Sequence, residues 1–303
     1  MALTGTPDWI ALDWGTTNLR GWAMQGSALL AEASSKAGMS SLDFNGFAPA
    51  LEALLEPWNV PTDTPILACG MVGSRQGWQE APYRAVPCTP LGEGRFAQPP
   101  GSRPVRIIAG LKQAAPPDVM RGEETQIAGF VARNPGWDGV LCLPGTHTKW
   151  AEISAGEVVS FQTFMSGELY ALLSTQSVLR HSLTGPTEDA EDSAAFEAAV
   201  ADAIARPERL AARLFSLRAS DLLEHTAPGV ARARLSGLLL GAELAAARPY
   251  WLGRQIALIG APEPSRLYAA ALKAQGVPAM ITDASAMTRA GLTAAWRLLK
   301  GSS

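Results

Sequence analysis

Short blocks of apolar residues, some alternating with polar ones, run through the first third of the chain, a pattern typical of strands. Gly26 marks a hairpin turn between the second and third blocks, and Pro57 ends one amphipathic helix. Residues 83–101 are rich in proline and glycine and are expected to be irregular. The predicted strands are 9–13, 19–24, 28–33, 64–69 and 105–109, and the predicted helix is 47–57.

The succession of a strand, a glycine-threonine turn and a second strand returns near Gly145. From residue 166 onward, alanine-rich sequence favours helices. The predicted strands are 140–143, 150–153, 158–161, 256–259 and 279–282, and the predicted helices are 125–132, 167–179, 193–204, 207–217, 230–247, 264–275 and 285–299. The pattern therefore predicts two α/β units with a helical elaboration.

Composition excludes several classes of protein. The 303 residues are 47% hydrophobic and 17% charged, which allows a sizeable core, and a net charge of −3 without blocks of like charge argues against duplex nucleic acid or an anionic membrane as partner. Cys69, Cys88 and Cys142 are far apart and are expected to be reduced residues in a cytoplasmic protein. No apolar run approaches the roughly 20 residues of a membrane span.

The turn in DWGTTN, residues 13–18, has the chemistry of a phosphate site. Backbone N–H groups at a turn of small residues converge on an anion, and the hydroxyls of Thr16 and Thr17 add donors. Asp13 can hold Mg²⁺ through water, since this ion keeps several waters and few carboxylates. An ordinary hairpin turn would also account for this sequence, because aspartate and asparagine, here Asp13 and Asn18, are frequent in turns.

LPGTHTKW, residues 143–150, repeats this arrangement. Gly145, Thr146 and Thr148 can cradle a second phosphate, and Lys149 can add a point charge, although a solvated surface lysine is more frequent. Two such turns predict one ligand that bridges two lobes. A Walker A loop, a nicotinamide fingerprint, the histidine pairs of a transition-metal site and the GxSxG elbow of hydrolases are all absent from the sequence.

Three further segments carry candidate residues. In RGEETQIAGF, Glu123 and Glu124 lie in the first turn of a helix, where the helix dipole favours acids and where a carboxylate can serve as general base. The strand before LIGAPEPSR ends at Gly260, where a glycine lets a flat ring approach the backbone or simply connects strand to helix. The loop GMVGSRQGW offers Arg75 as a bidentate fork for a carboxylate.

In order, DWGTTN, GEETQIAGF, LPGTHTKW and LIGAPEPSRLYAAAL resemble the two phosphate loops, connecting helix and adenosine segment of the sugar kinase, actin and heat-shock ATPase superfamily. WIALDWGTTNLRGW, GMVGSRQGW, RGEETQIAG, LPGTHTKW and FMSGEL are similar to signatures of the 2-dehydro-3-deoxygalactonokinase family. The resemblance implies an α/β, two-lobed actin-like ATPase fold of duplicated ribonuclease-H-like units with the active site in the interlobe cleft. The expected lobes are 1–135 plus 290–303 and 136–289.

The resemblance also implies ATP and Mg²⁺ as cofactors and assigns roles to residues. Asp13 corresponds to the metal ligand, and Glu123 to the catalytic base, with Glu124 second and Asp13 a further alternative. Many superfamily members have a glycine pair where this chain has Gly260-Ala261, which is a departure. The cofactor-binding candidates are Gly15, Thr16, Thr17, Asn18, Gly145, Thr146, Thr148, Lys149, Gly260 and Ala261. The substrate-binding candidates are Ser74, Arg75, Gln76, Arg84 and Arg180, with Arg75 first for the C1 carboxylate.

The implied reaction is ATP-dependent phosphorylation of the 6-hydroxyl of 2-dehydro-3-deoxy-D-galactonate in galactonate catabolism. A kinase for the gluconate epimer and an exopolyphosphatase-like phosphohydrolase on the same fold are the alternatives. A non-catalytic sensor of ATP or sugar is disfavoured because the candidate active-site residues are all present. The expected partner is a small sugar acid, with no nucleic acid or membrane, and a homodimer is left open.

Overall fold

Residue 3 and residues 5–92, 96–185 and 189–301 are described in the computed structural model of the chain. The first of two units contains Met1–Asp138, Ile153–Ser160 and Ala284–Ser303, and the second contains Gly139–Glu152 and Phe161–Asp283. These limits differ from the expected lobes in residues 136–138, 153–160 and 284–289, which belong to the first unit. Residues 284–289 begin a helix that continues to Gly301, so they stay with the rest of that helix.

The segment WIALDW lies in a six-stranded sheet whose two faces are both covered. On one face Ile10, Leu12 and Trp14 pack in a core with the helix α1 (Phe47–Leu55), and on the other face Trp9 and Ala11 pack with the last helix. The sheet order is β3 (Ala28–Ser35), β2 (Leu19–Gln25), β1 (Trp9–Trp14), β4 (Ile66–Cys69), β7 (Val105–Ile108) and β6 (Phe96–Ala97). The first three strands are antiparallel, whereas β1, β4 and β7 are parallel.

A small sheet in the first unit was not predicted. It contains β5 (Tyr83–Ala85), β8 (Gly110–Ala114) and β9 (Pro117–Met120). The expectation that residues 83–101 are irregular is therefore wrong at β5 and β6. The pairing of β5 with β8 joins Tyr83 to Gly110, and such a contact between distant residues leaves no local periodicity to detect.

Two helices of the first unit, α2 (Glu123–Arg133) and α9 (Ala284–Gly301), pack closely because each carries a glycine at the contact. A Cβ placed on Gly129 would lie 2.0 Å from the carbonyl oxygen of Met287, and one on Gly291 would lie 1.8 Å from that of Thr125. No larger residue fits without separating the helices. The helix that carries the candidate base therefore rests directly on α9.

The second sheet repeats the order of the first five strands of the first sheet. Its order is β12 (Glu157–Phe164), β11 (Thr148–Ser154), β10 (Gly139–Leu143), β13 (Ile256–Gly260) and β14 (Ala279–Asp283). Its last three strands are parallel. A core of Val140, Trp150 and Leu258 packs against α6 (Pro228–Ala246) and α8 (Pro262–Ala274).

Helices fill the rest of the second unit, as predicted. They are α3 (Ser166–Thr175), α4 (Asp189–Ala205), α5 (Leu210–Glu224) and the short α7 (Arg248–Trp251). The predicted helix 167–179 is shorter than expected, because Ser177 caps a separate 3-10 helix, Val178–Ser182, by accepting a hydrogen bond from the Leu179 N–H. Within the described part of the chain, no helix combines the length and apolarity needed to cross a bilayer.

Candidate active site

The first predicted phosphate turn connects β1 to β2. The Gly15 N–H donates to the carbonyl of Asn18 at 2.9 Å, which closes a tight turn. Thr16, Thr17 and Asn18 are exposed, and Asn18 Oδ1 accepts a hydrogen bond from Lys36 at 3.1 Å. The turn is both a hairpin connection and a surface with donors, so the two interpretations of DWGTTN are compatible.

This turn is held from outside by residues 38–40, which we call the first clasp. A Cβ on Gly38 would lie 2.1 Å from the carbonyl carbon of Thr17, so only glycine allows this approach. The backbone N–H and the hydroxyl of Ser40 both donate to the carbonyl of Thr16, at 2.9 and 2.8 Å. The clasp fixes the turn before any ligand binds. The sequence analysis did not find it.

Asp13 faces a residue that the sequence analysis also missed. The antiparallel register places Arg20 opposite Asp13, and its Nη2 lies 2.5 Å from Asp13 Oδ2. Burial raises the pKa of Asp13, while the charge and hydrogen bond of Arg20 act in the opposite direction. The Arg20 side chain is 42% exposed, whereas the Asp13 side chain is 13% exposed.

Asp13 lies close to the loop after β4 and to the start of α2. A Cβ on Gly70 would be 3.3 Å from Asp13 Oδ1, and one on Gly122 would be 3.3 Å from the Gly70 Cα. Both glycines have positive φ, 93° and 105°, which side chains disfavour. The candidate metal ligand and the turn of the candidate base therefore lie on either side of Gly70.

The two glutamates of that turn have different environments. Glu124 is fully buried; its Oε2 accepts a hydrogen bond from the Gly122 N–H at 2.6 Å and its Oε1 accepts one from the Thr125 hydroxyl at 2.9 Å. Burial, followed by the charge of Glu123, raises the pKa of Glu124 to about 7. Glu123 is partly exposed and accepts a hydrogen bond from the Arg121 N–H at 3.0 Å. Glu123 is thus the glutamate that a substrate can reach.

The candidate substrate residues are spread over different places. Ser74 is buried, Arg75 and Gln76 are exposed, and the Arg75 guanidinium is 3.9 Å from Glu80. Arg84 donates to the carbonyl of Thr89 at 2.7 Å and so braces its own loop. Arg180 belongs to the second unit, where it donates to backbone carbonyls of residues 176 and 177. The structure therefore leaves Arg75 as the arginine most open to a ligand among these three.

Arg121, directly before the turn of Glu123 and Glu124, is a further residue that sequence reasoning missed. Its Nη2 donates to the carbonyl of Ala81 at 2.8 Å, and its guanidinium lies 4.2 Å from the centre of the Tyr83 ring. The side chain is buried, and a Cβ on Gly73 would be 2.9 Å from Nη1. Arg121 thus ties the loop after β4 to the turn of Glu123. The only available signal was its place in RGEETQIAG.

The second predicted phosphate turn connects β10 to β11. Gly145 and Thr146 are exposed, but Thr148 and Lys149 are only 1% and 5% exposed. The strand already begins at Thr148, so its side chain points into the core and forms a 2.8 Å hydrogen bond with the Tyr268 hydroxyl. The Thr148 hydroxyl is therefore bonded within the second unit, whereas the prediction that Lys149 faces a phosphate stays a prediction.

Residues 167–168 hold this turn in the way that the first clasp holds the other, and we call them the second clasp. A Cβ on Gly167 would lie 2.2 Å from the carbonyl oxygen of Gly145. The Glu168 N–H donates to the carbonyl of Thr146 at 2.9 Å, and the Glu168 carboxylate is 2.6 Å from His147 Nε2. These residues belong to FMSGEL, which the sequence analysis noted only as a signature.

Gly260 lies at the strand-to-helix connection between β13 and α8. A Cβ there would lie 2.7 Å from the Ser265 hydroxyl and 3.4 Å from Pro144. The missing side chain thus makes room for the first turn of α8, which agrees with the simpler of the two interpretations, and the approach of a flat ring stays a prediction. Ala261 is exposed just before α8 begins, so it remains available to a ligand.

Two units with the same order of five strands, each with a clasped glycine-threonine turn after its first strand, have the actin-like ATPase fold. The model of the 2-keto-3-deoxy-galactonokinase family matches residues 13–295. The chain belongs to the 2-keto-3-deoxy-galactonokinase family.

Individual relatives agree with this membership over nearly their whole length. A probable 2-dehydro-3-deoxygalactonokinase of Rhizobium meliloti (strain 1021) is 40% identical, with 95% of this chain and 96% of the relative covered. The 2-dehydro-3-deoxygalactonokinase of Escherichia coli (strain K12) is 35% identical, with coverage of 95% and 97%. The crystal structure of a candidate 2-dehydro-3-deoxygalactonokinase from Sinorhizobium meliloti superposes with a TM-score of 0.90 at 39% identity, covering 96% and 99%.

Proposed function

We propose that this chain transfers the γ-phosphoryl group of ATP to the 6-hydroxyl of 2-dehydro-3-deoxy-D-galactonate, a step of galactonate catabolism. The observation that carries the proposal is the meeting of Asp13 and the Glu123 turn at Gly70, in a chain that belongs to a family of sugar-acid kinases. A metal-organising carboxylate beside a general base is the pairing that phosphoryl transfer to an alcohol requires.

The residues of the first unit fit a magnesium ion of the kind that accompanies ATP. Among the described residues no group of three or more His, Cys, Asp or Glu side chains forms a metal cage, and Mg²⁺ with a nucleotide needs only one or two carboxylates. Asp13 is such a carboxylate, and the ion would neutralise charge on the phosphates. The charge and hydrogen bond of Arg20 oppose the rise in the pKa of Asp13 that burial causes, and so favour the ionised form that a cation needs.

Glu123 is the proposed general base. Its partial exposure lets it accept the proton of the 6-hydroxyl, and the hydrogen bond from the Arg121 N–H fixes its orientation. Glu124 would stabilise the conformation of this turn, since both of its carboxylate oxygens accept hydrogen bonds within it. The backbone N–H groups around Thr16 and Thr146 would bind phosphate oxygens, because the two clasps hold these turns in place.

Arg75 is the proposed partner of the C1 carboxylate, with Gln76 beside it. Its guanidinium is 82% exposed and only loosely paired with Glu80, so a carboxylate can engage it bidentately. Arg75→Lys keeps the charge but loses the fork. We expect the KM for the sugar acid to rise about tenfold, which corresponds to about 1.4 kcal/mol, with the KM for Mg-ATP unchanged.

The function is tested by following ADP release with Mg-ATP and each of the two epimers, 2-dehydro-3-deoxygalactonate and 2-dehydro-3-deoxygluconate. A phosphosugar formed faster from the galactonate compound supports the proposal. Preference for the gluconate compound would reassign the substrate, and phosphate release that needs no sugar would indicate a phosphohydrolase.

The base is tested with Glu123→Gln and Glu124→Gln measured together. We expect the first to lower kcat by roughly 10²–10⁴-fold with little change in either KM. The second keeps the accessible carboxylate and should lose less activity. Full turnover by Glu123→Gln would disprove the assignment.

A further inference from the structure

Glu243 is a buried carboxyl that has no part in the proposed chemistry. It lies on α6 in the second unit and is 3% exposed. Its Oε1 accepts a hydrogen bond from Trp150 Nε1 at 2.8 Å, its Oε2 accepts one from the Tyr268 hydroxyl at 2.9 Å, and the Ser166 side chain is a third partner. Burying a carboxyl is costly unless it is hydrogen-bonded, and here the partners come from three other elements.

The bond to Tyr268 also fixes Thr148. A tyrosine hydroxyl has one proton, and Tyr268 donates it to Glu243. In the 2.8 Å contact between Tyr268 and Thr148, therefore, Thr148 is the donor. Thr148 is the first residue after the second phosphate turn, so its side chain is held inward by a relay that ends on Glu243.

The hydrogen bond between Glu243 and Ser166 connects the carboxyl to the second phosphate turn by a second route, through α3. Ser166 is the first residue of α3, and the next two residues form the second clasp on Gly145 and Thr146. Tyr268, in turn, lies on α8, the helix that follows Gly260 and Ala261. One carboxyl is thus bonded to β11, α3 and α8, the elements that follow the second phosphate turn, carry its clasp and follow Ala261.

We propose that Glu243 is a positioning residue for nucleotide binding, which holds the second phosphate turn, its clasp and α8 in one arrangement. The proposal rests on the proposed function in one respect, that the second unit binds ATP. It assigns no contact between Glu243 and the ligand. Its effect is on the affinity for nucleotide and not on the affinity for the sugar acid.

The test compares three variants of the full chain. Glu243→Gln keeps the shape of the side chain but replaces one acceptor oxygen by a donor. Either the Trp150 N–H then loses its acceptor, or the Tyr268 hydroxyl must accept from the amide and donate to Thr148 instead, which reverses the relay. Tyr268→Phe removes the hydroxyl between Glu243 and Thr148 and leaves the hydrogen bond from Trp150 to Glu243 in place. Leu240→Ala is the control, because Leu240 lies on the same helix and in the same core without a polar contact of its own.

We expect Glu243→Gln to raise the KM for Mg-ATP at least tenfold and to leave the KM for the sugar acid within twofold. Tyr268→Phe should shift the same constant in the same direction by a smaller factor, and it carries the test if Glu243→Gln does not fold. Leu240→Ala should lower the Tm without changing the ratio of the two KM values. A Glu243→Gln enzyme whose two KM values rise equally, or whose effect Leu240→Ala reproduces, would overturn the proposal.

Titration calorimetry with Mg-ADP, without sugar, separates this proposal from the proposed function. If the wild-type chain binds Mg-ADP but phosphorylates neither epimer, the proposed substrate is wrong while Glu243 can still be judged. In that case a tenfold weaker Kd in Glu243→Gln supports the positioning role, and an unchanged Kd refutes it.

Discussion

The buried carboxyl of Glu124 should make the stability of the protein depend on pH in a measurable way. Burial and the neighbouring charge of Glu123 raise its pKa from 4.5 to about 7. Because the folded-state value is the higher one, the contribution of this group to stability is complete below pH 4.5 and is lost as the pH rises through about 7. Between pH 5 and pH 8, this single group should lower the free energy of unfolding by about 2.5 kcal/mol.

Glu124→Gln removes the titration and keeps the hydrogen bonding. The amide oxygen can still accept from the Gly122 N–H, and the amide nitrogen can donate to the Thr125 hydroxyl, which rotates to accept. Urea unfolding of both proteins from pH 5 to pH 8 should show the variant gaining about 2.5 kcal/mol on the wild type as the pH rises. Groups that do not interact with Glu124 titrate alike in both proteins and cancel in this difference.

Glu123→Gln is the second arm of this experiment. Removal of the neighbouring charge should lower the pKa of Glu124, so the pH dependence of stability should become shallower than in the wild type. A difference between wild type and Glu124→Gln that stays within about 0.5 kcal/mol across the whole range would refute the reasoning, because ionisation of Glu124 would then cost nothing on folding.

Other changes should act in specific directions. Asp13→Asn should weaken the use of Mg-ATP much more than the binding of sugar acid, measured as separate KM values; equal losses would indicate a role in folding alone. Gly38→Ala should lower the free energy of unfolding by about 1–3 kcal/mol, since its Cβ would overlap the backbone of the first turn. A Cβ on Gly145 would have no neighbour within 4 Å, so the Gly145→Ala protein should keep the Tm of the wild type. The added methyl group should obstruct a phosphate and so raise the KM for Mg-ATP. Cys88 should react first with a thiol reagent at pH 8, as the other two cysteines are fully buried and burial raises their pKa well above the usual value; a fast phase that persists in Cys88→Ser would contradict this.

The elements that the sequence predicted well are those specified by short, local patterns. WIALDW is apolar at successive positions before a glycine turn, so a strand and a hairpin follow from neighbouring residues alone. The strands β8 and β9 were missed because residues 110–120 include two prolines and several exposed polar side chains. Their pairing depends on contacts that appear only when the chain has folded.

The residues of the candidate site likewise divide into those that a local motif marks and those that depend on distant contacts. DWGTTN and RGEETQIAG could be found as motifs, because each contains its polar groups within a few residues. The clasp on the first turn could not be found, since Gly38 is 20 or more residues away from the turn it holds. Thr148 was expected to face a phosphate, and its true partner, Tyr268, is 120 residues further along. Burial of such a hydroxyl is decided by the register of β11 and by α8, neither of which a short motif records.

The close contact of α2 with α9 has a consequence for the order of events during synthesis. A ribosome delivers Glu123 and its helix long before Gly291, yet α2 at Gly129 packs directly on the backbone of α9. Trp9, in the first strand, likewise waits for Trp296, on which it stacks at 5.1 Å. Nascent chains that end before α9 should therefore expose an apolar face beside the candidate base, and catalytic competence should arise only once α9 has left the exit tunnel.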